Sequence, residues 1–453
     1  MKIDHSIEPA LLGPAIKTLF GASAEKIRSL HRSWNPSEGS PVFTVKGRYT
    51  SRGWTEWTQG FQFGSAILQF DGTGDSEFLH IGRSRTVEVM APHLTHTGVH
   101  DHGFNNVSTY GNLLRLIDEG RVEQNEWERR FYEVALKCSG AVQAGRWSPI
   151  ASGGGFIYSF NGPHSLFVDT IRTVRALAVA HRLGHVLLGE NDCRISLLDR
   201  LIWHAAATAR YSVYYGEGRD TWDVRGRVAH ESIFNPNDGN YRCPNSQQGY
   251  SPYTTWTRGL AWAMLGFAEE LEFLQTVSDE ELAVHGGREP VLMEMRKAAQ
   301  ATCDFYIANT ALDGAPYWDT GAPGLDRIAN WREKPSDPFN EWEPVDSSAA
   351  VIAAQGLLRL GRFLQNERYW KAGLTVCRTL FAEPYLSTDP QHQGLILHSI
   401  YHRPNGWDSI PAGRRIPSGE ACMWGDYHAL ELAVYLQRII EDKPYLTFWS
   451  NGQ

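Results

Sequence analysis

The 453-residue chain has no run of about 18 apolar residues, so nothing in it reads as a membrane span. It has no lysine/arginine block either, and its net charge is −8; a nucleic-acid-binding surface needs a basic stripe that is missing here. The six cysteines (Cys138, Cys193, Cys243, Cys303, Cys377 and Cys422) form no C-x-x-C pair. Neither a zinc ribbon nor a disulfide scaffold is therefore expected, and they read as reduced thiols. The opening Met1-Lys2-Ile3-Asp4-His5-Ser6 lacks the apolar core and small-residue cleavage site of a secretory leader, which makes the cytoplasm the expected compartment. Sustained period-two alternation is scarce.

What the chain has in quantity is aromatic surface: 16 Trp, 18 Tyr and 19 Phe, or 12% of residues. Most of these belong to a core. Indole faces also pack well on the apolar C–H faces of a pyranose, so a sugar pocket is a natural use for the remainder. Apolar residues recur at helical spacing and predict helices at about 14–32, 59–71, 76–91, 106–119, 124–138, 168–186, 191–213, 256–275, 289–309, 347–364, 367–381 and 426–441. Gly/Pro/Asn-rich connections separate them, such as Gly153-Gly154-Gly155 and Asn235-Pro236-Asn237-Asp238-Gly239. No low-complexity linker divides the chain, and no repeat of fixed period suggests a solenoid. The pattern predicts one all-α domain over 1–453, an (α/α)6 barrel of six helical hairpins, with 1–44 as an N-terminal helix and extension.

Polar and aromatic residues collect where loops meet helix starts. Trp54-Thr55-Glu56-Trp57-Thr58-Gln59-Gly60-Phe61 precedes one apolar helix and His100-Asp101-His102-Gly103-Phe104-Asn105 another. Asp169 opens the apolar run from Val168 to Ala180. Asp101 and Asp169 both lie among apolar neighbours, where burial raises a carboxyl pKa and makes a proton donor near neutral pH. Two such groups in one cleft can divide roles, one protonated and one ionised. An aspartate before a helix is equally a preferred N-cap, and that reading stays open. His100 and His102 form a His-x-His with no further ligand cluster, a weak metal signal. Arg258 and Trp262, four apart on a helix, share a face and suit a ring bearing a carboxylate; a surface arginine over a core tryptophan has the same spacing.

Taken together these segments resemble the unsaturated glucuronyl hydrolases and their relatives, the unsaturated rhamnogalacturonyl hydrolases. Gln248-Gly249-Tyr250-Ser251 followed by Trp256-x-Arg258-Gly259-x-Ala261-Trp262 is similar to that family's most distinctive stretch. His230-Glu231-Ser232-Ile233-Phe234 resembles its histidine-bearing loop, and His100-Asp101-x-Gly103-Phe104 and Val168-Asp169-Thr170 its two aspartate motifs. Trp57-x-x-Gly60-Phe61 resembles its aromatic wall. Pro316-Tyr317-Trp318-Asp319, Asp346-Ser347-Ser348-Ala349-Ala350, Gly394-Leu395-Ile396-Leu397-His398 and Trp424-Gly425-Asp426-Tyr427 follow in order.

The resemblance implies an (α/α)6 barrel that adds water across the C4=C5 double bond of a terminal Δ4,5-uronate, after which the sugar leaves spontaneously. It implies Asp169 as general acid/base and Asp101 as the group that orients the ring or tunes that proton. His230, Gln248, Arg258 and Trp262 would bind the uronate, with Trp57 and Phe61 stacking on it. The partner is a small oligosaccharide with a terminal uronate; no metal or organic cofactor, nucleic acid or membrane is implied. Arg403, in the loop His398–Gly406, would contact the leaving sugar or its sulfate. This chain departs from the family at Ile171-Arg172-Thr173, where an arginine facing the cavity would alter the field at the acid. Three alternatives remain: hydrolysis of saturated uronic-acid glycosides, unsaturated rhamnogalacturonyl hydrolysis, and an inactive sugar-binding barrel.

Overall fold

The computed structural model describes residues 1–53 and 56–449, with main chain only at Glu56; Trp54 and Thr55 lie outside the described residues. Each predicted segment holds a helix, the one over 168–186 in divided form. The helices are α1 (Gly13–Ser33), α2 (Gln59–Thr73), α3 (Ser76–Val89), α4 (Asn112–Asp118), α5 (Glu126–Gly145) and α6 (Arg175–Arg182). The second half holds α7 (Leu197–Tyr211), α8 (Thr257–Leu274), α9 (Arg288–Asn309), α10 (Ser347–Phe363), α11 (Glu367–Leu380) and α12 (Met423–Ile440).

Burial sorts them into two layers. Every residue of α8 is buried, as is α10 from Ser347 to Gly361, so these helices are covered on all sides. By contrast α1 buries Ile16, Leu19, Phe20, Ser23, Lys26 and Leu30, a single stripe at helical spacing. The inner ring runs from α2 to the π-helical segment Gly103–Gly111 that leads into α4, on to the turn Thr170–Thr173 before α6, then α8, α10 and α12, which packs back on α2. The odd-numbered helices pack outside, α1 against both α2 and α12. This closed double layer is an (α/α)6 barrel.

Three features depart from the reading of the sequence. The segment expected as one helix over 168–186 is divided. Its start is extended, because Val168 N–H donates to His230 O at 3.0 Å, and its first turn is drawn tight by Thr173, whose hydroxyl bonds both Thr170 O and His100 O. Short strands, invisible to periodicity because each is only three to five residues long, form an antiparallel sheet β1 (Ser165–Phe167), β2 (Glu231–Phe234), β3 (Tyr241–Asn245), with β2 central. That sheet delivers Asp169, His230 and Gln247-Gln248 to the same end of the barrel.

The third departure is Arg172. It does not face a cavity: it is fully buried and turned into the barrel, bonding Glu269 and, at 2.9 Å, Glu431. Arg175 and Arg359 join the network, Arg175 reaching Glu431 at 3.4 Å and Arg359 reaching Glu272 at 2.6 Å. The charge of Arg172 is therefore matched internally. Removing one partner of such a pair leaves a buried uncompensated charge, so Arg172→Met is expected to lower stability by about 3–5 kcal/mol in urea unfolding. A midpoint within error of wild type would contradict this.

Candidate active site

A cavity of about 500 Å³ opens at the loop end of the inner ring, lined by Trp57, Asp101, Asp169, Gln248, Arg258 and Trp262 among others. Two close backbone approaches create it. A Cβ on Gly103 would lie 2.1 Å from Thr173 O, and one on Gly60 would lie 2.3 Å from Asn105 O. Glycine at those positions lets the Asp101 segment touch the Asp169 turn on one side and the Trp57 helix on the other. Gln143 Nε2 then ties His100 O at 2.8 Å to Thr173 Oγ1 at 2.7 Å, fixing the register of the two aspartate segments.

Asp169 occupies the N-cap position of Thr170–Thr173, yet its side chain makes no capping bond. It accepts instead from His100 Nε2 at 3.1 Å, and the same nitrogen stands 3.8 Å from Asp101 Oδ1. Burial works to raise the Asp169 carboxyl, but the His100 hydrogen bond and the nearby His100, His230 and Arg258 outweigh it and hold it below the usual range. Asp101 goes the other way, raised chiefly by burial. The two carboxyls are thus driven apart in acidity, as a divided acid/base pair requires. His102 turns away, bonded to Ser139 Oγ and His96 O, each at 3.0 Å, so the two histidines do not converge on one ion. Among the described residues no cluster of three His, Cys, Asp or Glu side chains has metal-binding geometry.

Arg258 lines the cavity without offering a free fork. Its Nη1 donates to Ile400 O and, at 3.5 Å, to Asp346; its Nη2 donates to Gln248 Oε1 at 2.6 Å and Tyr401 O at 2.8 Å. The guanidinium lies over Trp256 at 4.5 Å and Trp424 at 4.8 Å. Its geometry therefore orients Gln248 and anchors the loop at 400–401, rather than presenting two open donors to a carboxylate. Trp57 stacks on Trp424 at 4.9 Å, and Trp262 packs on Phe104 at 4.7 Å.

Three of the residues singled out in the sequence are not in the cavity wall. Phe61 is fully buried behind it, edge-on to Trp57 at 6.1 Å. His230 is 2% exposed; its Nδ1 accepts from Gln247 N–H at 2.9 Å, which assigns the proton to Nε2, a buried atom with no protein partner. Arg403 lies in the one-turn helix Arg403–Asn405 and is not among the residues that line the cavity. The Asp408 carboxylate accepts from His402 N–H at 3.1 Å and also, at 2.5 Å, from Tyr401 N–H; the resulting turn presents His402, Asn405 and Trp407 to the cavity instead. The loop marked in the sequence thus borders the cavity, through these three side chains. His100 and Phe160 also line the wall; nothing in spacing alone distinguishes them.

No protein-family model matches the chain. Individual proteins do. An unsaturated glucuronyl hydrolase of Formosa agariphila is 24% identical over 390 residues, covering 85% of this chain and 81% of its own. One from Bacillus sp. strain GL1 is 26% identical over 439 residues, covering 94% and 96%. The crystal structure of the unsaturated glucuronyl hydrolase from Bacillus sp. GL1 superposes with a TM-score of 0.69 at 23% identity, over 94% of this chain and 97% of the other. A structure of an unsaturated glucuronyl hydrolase specific for heparin gives 0.71 at 17% identity, over 96% and 100%. The chain is similar to the unsaturated glucuronyl hydrolases in sequence and in fold.

Likeness to the unsaturated glucuronyl hydrolase of Bacillus sp. GL1 covers 94% of this chain in sequence and in fold. The close approach at Gly103 is open to direct test. Gly103→Ala would drive a methyl into Thr173 O and is expected to cost about 1–3 kcal/mol of stability. Thermal unfolding measures it, and an unchanged midpoint would show that the two aspartate segments are less tightly apposed than described.

Proposed function

We propose that the protein hydrolyses unsaturated uronyl oligosaccharides of the kind released by polysaccharide lyases, by hydrating the C4=C5 double bond of the terminal Δ4,5-uronate. One observation carries the reading: Asp169 stands where a capping aspartate would, yet its carboxylate is given to His100 and to the cavity, with Asp101 beside it. The names of the relatives supply the substrate class.

Asp169 transfers a proton to C4 of the enol ether, and the double-bond electron pair forms the new C4–H bond. Positive charge develops on C5 and is shared by the ring oxygen. Water attacks C5 and loses a proton to the Asp169 carboxylate, which restores the acid. The hemiketal opens and the second sugar departs. Asp101 orients the uronate ring. Gln248, with its oxygen held by Arg258, directs its amide N–H groups to the uronate, and His230 holds the Gln247-Gln248 segment from behind by accepting the Gln247 N–H. Trp57 and Trp262 pack on the apolar ring face, with Phe61 supporting Trp57 from behind. The turn carrying His402, Asn405 and Trp407 receives the leaving sugar.

The test is a panel of lyase-generated disaccharides and their saturated counterparts, followed by loss of the enol-ether ultraviolet absorbance. Wild type is expected to consume the unsaturated members only. Asp169→Asn is expected to lower kcat by about two orders of magnitude or more, with substrate still bound. Turnover of saturated substrates would favour ordinary glycoside hydrolysis, and an Asp169→Asn enzyme of unchanged rate would sink the assignment. Trp407→Ala is expected to raise KM about tenfold while leaving kcat nearly constant, in line with about 1.4 kcal/mol for a stacking contact on the leaving sugar. Equal KM values for the two enzymes would remove Trp407 from that contact.

A further inference from the structure

Resting on the reading above, we propose that His100 is the proton-holding partner of the acid: it shares one proton with Asp169 across their hydrogen bond and surrenders it to Asp169 when the uronate enters. The placement is specific. His100 is 1% exposed and touches the cavity. Its Nε2 lies 3.1 Å from Asp169 Oδ1 and 3.8 Å from Asp101 Oδ1, within reach of both carboxyls at once. Phe160 stacks on the imidazole at 6.1 Å and Phe167 meets it edge-on at 5.7 Å, so the ring is held by apolar surfaces that exclude water. Its Nδ1 is buried and has no protein partner. No second hydrogen bond therefore fixes the tautomer, and the carboxylates alone govern where the proton sits.

The charged and titratable groups around His100 decide its state. Burial disfavours the imidazolium, but Asp101 and Asp169 together hold the pKa above the ordinary histidine value, against Arg146. His204 and His230 are the other ionisable neighbours, and burial pushes both down to about 3, so they are neutral across the working range. Asp169 is accordingly a carboxylate in the free protein, with the proton on its partner. A carboxylate cannot protonate C4.

The proton movements balance as follows. The Nε2–H bond of His100 breaks as the Asp169 O–H bond forms, prompted by the negative charge of the entering uronate. The Asp169 proton then goes to C4, and the electron pair of C4=C5 forms the C–H bond. Water adds to C5 and returns one proton to Asp169, from which His100 recovers it. One water is consumed and the protein ends as it began.

His100→Gln separates this role from simple packing, because the amide can still donate to Asp169 but carries no transferable proton at working pH. The measurement is kcat/KM against pH. In wild type, activity should fall as pH rises through the raised pKa of the His100–Asp169 pair. In His100→Gln that basic limb should move to lower pH by more than one unit, and kcat/KM at neutral pH should drop about a hundredfold. Should His100 serve only to pack, the variant would scale the rate equally at all pH values, and that result overturns the proposal.

A second measurement needs neither substrate nor a folded His100 variant. In spectra of the wild-type protein with labelled histidine, His100 should titrate above the ordinary histidine value, and Asp169→Asn should lower it. A His100 that titrates at or below the ordinary value overturns the proposal. This readout survives even if the panel of unsaturated disaccharides shows no turnover, so failure of the proposed reaction and failure of the His100 role can be told apart.

Discussion

The pairing of the two aspartate segments depends on one contact, the backbone of Gly103 lying directly against Thr173 O. These two segments belong to neighbouring members of the inner ring and carry the two aspartates. The contact permits the rest: Thr173 Oγ1 donates to His100 O, Gln143 bridges both, and Asp169 comes within hydrogen-bonding distance of His100. A side chain at 103 would separate the segments and disconnect the carboxyls. The π-helical winding of Gly103–Gly111 fits the same demand, since wide helical turns are recurrently found at functional sites, where they re-aim side chains.

Helix existence was legible in the sequence because outer helices such as α1 bury a stripe at 3.6-residue spacing, while inner ones such as α8 show as long apolar stretches bounded by loop residues. The site was legible to a lesser degree. Asp101, Asp169, Gln248, Arg258, Trp57 and Trp262 line one cavity as their motifs suggested. The failures have physical causes. A three-residue strand such as Ser165–Phe167 is too short to alternate detectably, so the sheet that aligns His230 with Asp169 was unreadable. Arg403 is singled out because its loop resembles the stretch that borders the next sugar, but a turn closed by Asp408 decides which of its neighbours line the cavity. Arg172 looked like a cation beside the acid because it follows Asp169 by three residues. Its partners, Glu269 and Glu431, come from helices about 100 and 260 residues further along the chain, and nothing local announces them.

Cation placement has a consequence for the chemistry. Arg258 has its terminal N–H groups committed to Gln248, Asp346 and two carbonyls, and Arg172 is neutralised inside the barrel. The cavity thus presents two carboxyls, the His100 ring that pairs with them and amide or indole donors, with its arginine already engaged. That is a poor resting site for an anion unless the carboxyls give up negative charge as it arrives.

On the proposed reading this apparent mismatch is what prepares the acid. A uronate carboxylate about 4 Å from Asp169 opposes the ionised aspartate by about 4 kcal/mol at an effective dielectric of about 20. The same charge attracts the His100 imidazolium, which lies 3.1 Å from the Asp169 carboxylate, so with the uronate on the far side of Asp169 the net bias on transfer is about 2 kcal/mol, or roughly twentyfold. Expulsion of water by the ligand acts in the same direction. Asp169 can therefore be a carboxylate in the free protein and an acid in the complex, with the switch driven by the substrate's own charge. An uncharged sugar would fit the aromatic walls and yet leave the proton on His100. The same electrostatics that bind the uronate weakly in its ionised surroundings make it the one ligand able to arm the site, so selectivity for a charged terminal sugar would appear in kcat before it appeared in affinity.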